Sequence, residues 1–137
     1  MKATGYKKAA EMVQQVTPYL LYEDAESAVE FATQAFGFRE MSRATGSAGG
    51  LHAELELPDG GQIYLGQPPR GYRNPVLVGR TSQVYVIVDD VDAHHAQAKA
   101  AGARIIEAPN DLPFGQRRYG CADPQGHEWY FAEPIAQ

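Results

Sequence analysis

The side chains in this chain whose types and spacing suit chemistry are Thr17, Tyr19, His52, Tyr64, Gln83, Tyr85, Arg118, Glu128 and Tyr130. Tyrosines dominate the set, and their rings offer flat stacking surfaces with a hydroxyl to orient a ligand. Side chains two apart on a strand share a face. That places Thr17 beside Tyr19, Gln62 beside Tyr64, Gln83 beside Tyr85, and Glu128 and Ala132 beside Tyr130. The same tyrosines serve equally as core filler with satisfied hydroxyls. His52, Glu54 and Glu56 alternate on one strand and form either a polar cluster in a cavity or a solvated edge. With Glu128 they are the only route to a metal site of imidazole and carboxylate donors. Arg118 offers a planar donor fork for a carboxylate or phosphate, or a surface ion pair. Trp129 and Phe131 alternate with Tyr130 and point the other way, into the core. His94 and His95 diverge by about 100° on a helix, cannot chelate one ion, and are expected to be exposed. Cys121 reads as buried filler.

The elements that must position these residues are written twice. Asp123-Pro124-Gln125-Gly126 is turn chemistry, and the aromatic alternation after it launches a strand. Leu57-Pro58-Asp59-Gly60-Gly61 echoes it, with Pro58, Gly60 and Tyr64 meeting Pro124, Gly126 and Tyr130 at a constant offset of 66. The same offset sets Thr17 to Asp24 against Gln83 to Asp90. In the first copy a strand over 17–22 leads to Asp24 as N-cap. A helix with Ala25, Ala28, Val29, Ala32, Ala35 and Phe36 on one face follows, and Gly37 stops it. Strands are predicted over 38–45, 51–57 and 62–67. The second copy predicts a strand over 83–88, a helix over 91–101 ended by Gly102, a strand over 104–108, a loop over 109–116, and two strands around the Asp123 turn. The organisation is therefore an N-terminal extension, 1–16, with helical spacing; a first unit, 17–67; a Pro- and Gly-rich connector, 68–82; and a second unit, 83–134, forming one structural domain.

At 137 residues the chain has enough length for a substantial core. It contains no run of about 18 apolar residues, so membrane insertion is not expected. A net charge of −5 argues against nucleic acid, whose phosphates demand a basic face. With a single cysteine and no secretory pattern at the N-terminus, a cytoplasmic location without disulfides is expected.

The layout of Val88-Asp89-Asp90-Val91-Asp92, Ala101-Gly102-Ala103, Phe114-Gly115-Gln116-Arg117-Arg118-Tyr119 and Asp123-Pro124-Gln125-Gly126-His127-Glu128-Trp129 resembles the vicinal oxygen chelate superfamily. That superfamily includes glyoxalase I, extradiol dioxygenases, and fosfomycin- and bleomycin-resistance proteins. The resemblance covers residues 17–134. It implies an α+β fold of two tandem βαβββ modules whose curved mixed sheets enclose a cavity. It also implies a homodimer, since family members of this length commonly pair. In metal-dependent members the ligands stand seven residues before the helix-opening Asp and four after the turn Gly. Here those positions hold Thr17, Gln83, Tyr64 and Tyr130. Hydroxyl, amide and phenol are poor donors for a divalent transition metal at neutral pH. The chain is therefore closest in character to the bleomycin-resistance-like branch, with no cofactor expected.

Two function classes follow. The favoured one is a protein that binds a small, planar, neutral or cationic organic ligand in a Tyr-lined cavity, of sequestration or resistance type. The other is an enzyme of the same superfamily, either metal-dependent through shifted ligands or metal-free with Tyr, His or Glu as acid and base. One scaffold hosts many chemistries, so the fold alone does not decide.

Overall fold

Asp24 and Gly37 bound the first helix as their chemistry requires. The Asp24 carboxylate accepts from the Ser27 amide, and Gly37 adopts φ 75°, closing α1 (Ala25–Phe36). Around it the computed structural model, which describes residues 16–46, 49–69, 71–74 and 82–136, places β1 (Tyr19–Leu21), β2 (Arg39–Thr45), β3 (Leu51–Glu56) and β4 (Gln62–Gln67). These form one sheet in the order β1-β4-β3-β2, with β1 and β4 parallel and the other pairs antiparallel. The second copy repeats the plan with β5 (Val84–Ile87), α2 (Val91–Ala100), β6 (Arg104–Leu112), β7 (Gln116–Ala122) and β8 (Glu128–Pro134), in the order β5-β8-β7-β6. The architecture is thus two βαβββ modules, each an open curved mixed sheet with one helix.

One element differs from expectation. The predicted loop over 109–116 is largely strand, because β6 runs on to Leu112 and only 113–115 turn. Pro109 is tolerated there because β6 is an edge strand whose register shifts between Glu107 and Asn110. The helical expectation for the N-terminal extension falls on 1–15, outside the described residues, as do 75–81 of the connector.

Alternation sorts each sheet into two faces. Ala53, Leu55, Ile63, Leu65, Trp129 and Phe131 are buried towards the helices. Burial of each large side chain contributes about 1.5–3 kcal/mol. The modules meet through this layer. The Phe36 ring of α1 lies 4.9 Å from both Trp129 and Phe131 of β8, and the Phe38 ring lies 5.8 Å from Trp129.

The histidines on α2 correct the sequence reading. His94 is half-buried in this layer rather than exposed, 4.1 Å from the Phe131 ring, with its Nδ1 2.6 Å from the Tyr119 hydroxyl. His95 is also half-buried, edge-on to Tyr119 at 5.2 Å. The other inward residues of α2, Val91 and Ala98, are small, and the two rings pack against the sheet at Tyr119, whose hydroxyl gives His94 a polar partner. Burial pushes the His94 imidazole down to about 4. Cys121 is buried as expected, and burial pushes its thiol up to about 12. Among the described residues no helix is long and apolar enough to cross a membrane.

Candidate functional site

With the inner faces committed to the helices, the opposite faces of the two sheets carry the remaining site residues. Both are open in the single chain. Tyr19 and Leu21 are 48% and 41% exposed, and their counterparts Tyr85 and Ile87 are 45% and 47% exposed.

On the first face Tyr19 does not stand up from the sheet. Its ring lies across β4 over Gly66, where an added Cβ would come within 2.5 Å of the ring. Gly66 pairs with His52 in register, so the phenol reaches β3. Its hydroxyl is 2.6 Å from His52 Nδ1, and His52 Nε2 is 2.9 Å from Glu54 Oε2. A carboxylate accepts only, so Nε2–H donates to Glu54 while Nδ1 accepts from the Tyr19 hydroxyl. Tyr64 closes the cluster edge-on, 5.1 Å from the His52 ring and 5.8 Å from Tyr19. A cavity of about 400 Å³ opens beside Tyr19 and His52, walled by Leu21, Leu51, Pro68 and Pro69.

On the second face Tyr130 lies over Gly120 in the same way, again 2.5 Å from where a Cβ would stand. Tyr85 stacks near it, with ring centroids 6.5 Å apart and planes 15° apart, and donates its hydroxyl to Gln116 Oε1. Arg118 covers Tyr130 with its guanidinium carbon 5.1 Å from the ring centre. It is not a free anion anchor: Nε and Nη2 donate to the two Glu107 oxygens at 2.9 and 3.0 Å. The Arg118 guanidinium, aided by the Asn110 amide, holds the Glu107 carboxyl below its usual range. Gln83 Nε2 donates to Glu128 Oε1 at 3.3 Å.

The four positions that would hold a metal in metal-dependent relatives do not fit one. Thr17 and Gln83 are neutral. Tyr130 is pushed further towards its protonated form, first by burial and then by Glu128 and Glu107. Among the described residues no three His, Cys, Asp or Glu side chains converge to hold an ion, and His52, Glu54, Glu56 and Glu128 do not do so either.

Tyr19, His52 and Tyr64 therefore come together on one face, and Tyr85, Arg118 and Tyr130 on the other, with Gln83 bonded to Glu128 beside them. Sequence reasoning missed Gly66, Gly120, Glu107 and Gln116. The two glycines carried a usable signal, since Gly inside a strand pattern marks close approach of another group. Glu107 and Gln116 carried none, because their partners are set by cross-strand register.

Comparison with known proteins agrees with the fold. The family model of the Glyoxalase/Bleomycin resistance protein/Dioxygenase superfamily matches residues 13–131. An uncharacterised protein of Mycobacterium bovis is 32% identical over 129 residues, spanning 89% of this chain and 84% of that protein. Among solved structures, TioX from Micromonospora sp. ML1 is 33% identical with a TM-score of 0.71, covering 89% of this chain and 99% of that one. A glyoxylase/bleomycin resistance protein/dioxygenase domain from Frankia sp. EAN1pec superposes with a TM-score of 0.75 at 20% identity, covering 89% and 98%, a likeness of fold.

Proposed function

The chain belongs to the glyoxalase/bleomycin resistance protein/dioxygenase superfamily, and on that premise we propose that it binds a small, planar, neutral or cationic organic molecule without a metal, in a sequestering role. One observation carries the reading: tyrosine rings flattened over Gly66 and Gly120 provide aromatic floors on both open sheet faces. A well-oriented aromatic pair contributes about 0.5–1.5 kcal/mol beyond area, and a desolvated cation on a ring contributes more. Because Glu107 neutralises Arg118, a compact anion finds no unpaired guanidinium there.

The half-exposed Tyr19, Leu21, Tyr85 and Ile87 support a homodimer in which a second copy covers these faces and completes the cavity. Light scattering should give twice the 15.0 kDa chain mass; a monomer at micromolar concentration argues against it. The binding reading is tested by calorimetry with a flat cationic bleomycin-type compound against a small phosphonate. The cation should bind more tightly and lose affinity in Tyr64→Ala and Tyr130→Ala. Tighter phosphonate binding, or unchanged cation binding in both variants, overturns it. Elemental analysis after growth in metal-supplemented medium should find no stoichiometric transition metal.

The Glu54–His52–Tyr19 chain favours one second reading, in which it acts as general base towards a proton of the bound ligand. Turnover abolished by His52→Ala with binding retained would select it.

A further inference from the structure

The two junctions between the modules share a plan and are finished differently. At the first, the turn before β8 docks on the corner between β1 and α1. Tyr22 fills that corner: its ring is buried, lies 4.5 Å from the His127 ring, and its hydroxyl donates to Asp123 Oδ2 at 2.6 Å. Trp129 Nε1 donates to the same oxygen at 3.3 Å. Gln125 bonds both backbone groups of Asp24, and His127 Nε2 donates to the Leu21 carbonyl at 2.9 Å.

The repeat offset carries Tyr22 to Val88, Asp123 to Leu57, Gln125 to Asp59, His127 to Gly61 and Trp129 to Ile63. Each member of the polar lock is thus smaller, apolar or shorter at the second junction. Among the described residues no side-chain hydrogen bond joins the 57–61 turn to the corner between β5 and α2. A cavity of about 420 Å³ lies there instead, walled by Leu57, Val86, Val88 and the His94 ring, within the range of small-molecule sites. Three carboxylates, Asp59, Asp89 and Asp90, share its lining. Asp90 is partly committed to the helix cap through the Ala93 amide, and Asp59 to the Gly61 amide at 3.3 Å. Among the described residues none of the three is paired with a lysine or arginine.

What this junction lacks, relative to its twin, is an aromatic ring carrying a hydrogen-bond donor that meets a carboxylate. We propose that it is a binding site, separate from the open sheet faces, for a small aryl-alkyl ammonium whose ring takes the volume that Tyr22 fills at the first junction and whose cation meets Asp59 and Asp89. The neutral His94 ring adds an aromatic wall without opposing the charge.

The test titrates the isotope-labelled full chain with benzylammonium, benzyl alcohol and benzoate, following amide shifts. Benzylammonium should bind most tightly, moving the Ala93 and His94 amides. Asp59→Asn with Asp89→Asn should weaken it at least tenfold while leaving the alcohol unchanged, and Ala93→Phe should remove binding by filling the cavity. Tyr19→Ala and Tyr64→Ala should change nothing here, which separates this site from the sheet-face reading. Equal affinity for alcohol and ammonium, less than a twofold change in the Asp double variant, or shifts confined to the sheet faces would overturn the proposal.

Discussion

The two modules share one backbone plan yet hold their neighbours by different physics. The turn before β8 is tied down by a buried carboxylate: Asp123 accepts from Tyr22, Trp129 and the backbone amides of Gln125 and His127. The matching turn before β4 has Leu57 in place of Asp123 and faces β5 and α2 across a cavity. The open faces divide in a parallel way. A hydrogen-bonded chain through His52 organises the first, and an ion pair through Arg118 organises the second. The difference teaches that a duplicated scaffold keeps its backbone plan when the directional bonds of one junction are absent from the other, because most members of the polar lock there are replaced by apolar or smaller residues.

The largest effect should come from breaking the polar lock. Asp123→Ala leaves buried donors unpaired and should cost about 3 kcal/mol, whereas Leu57→Ala at the equivalent position should cost about 1 kcal/mol. Urea unfolding of both variants measures the contrast, and equal losses would erase it.

His94 gives the next largest difference, since its counterpart Ala28 cannot titrate. Burial holds its folded value at about 4, below the ordinary histidine value of 6.5, so the unfolded chain binds the extra proton between them. Its contribution is complete above pH 6.5 and is lost as pH falls towards 4. The full shift corresponds to about 1.4 kcal/mol per pH unit, and the partial solvent contact of the ring reduces the expected loss to on the order of 2 kcal/mol. Denaturant midpoints at pH 7 and 5 should fall less in His94→Gln than in the parent.

A smaller effect on stability, but a sharper one on the sheet faces, is expected from Gly66→Ala and Gly120→Ala. Each methyl displaces a tyrosine ring that the glycine lets lie flat, at about 1 kcal/mol. Gly66→Ala should also break the Tyr19–His52 bond, seen as altered His52 ring chemical shifts by NMR, while Gly120→Ala should leave those signals unchanged. Last, Arg118→Gln removes a partly exposed ion pair worth about 0.5 kcal/mol. It should raise affinity for a cationic ligand by freeing Glu107. Unchanged affinity would mean that the second face does not touch the ligand.

Much of the fold was legible in the chain because its signals are local. Asp24 and Gly37 mark their helix ends by backbone chemistry alone, the alternation through Trp129-Tyr130-Phe131 assigns each side chain a face, and the offset of 66 exposes the duplication. The tyrosines on the open faces followed from the same period of two. Register between strands distant in sequence is not a local property, so the approach of Tyr19 to His52 across Gly66 and the pairing of Arg118 with Glu107 were decided only when the sheets formed. The burial of His94 likewise depends on which sheet its helix packs against. So does the contrast between a filled junction at Tyr22 and an open one at Val88, because volume left between two modules belongs to neither segment's sequence.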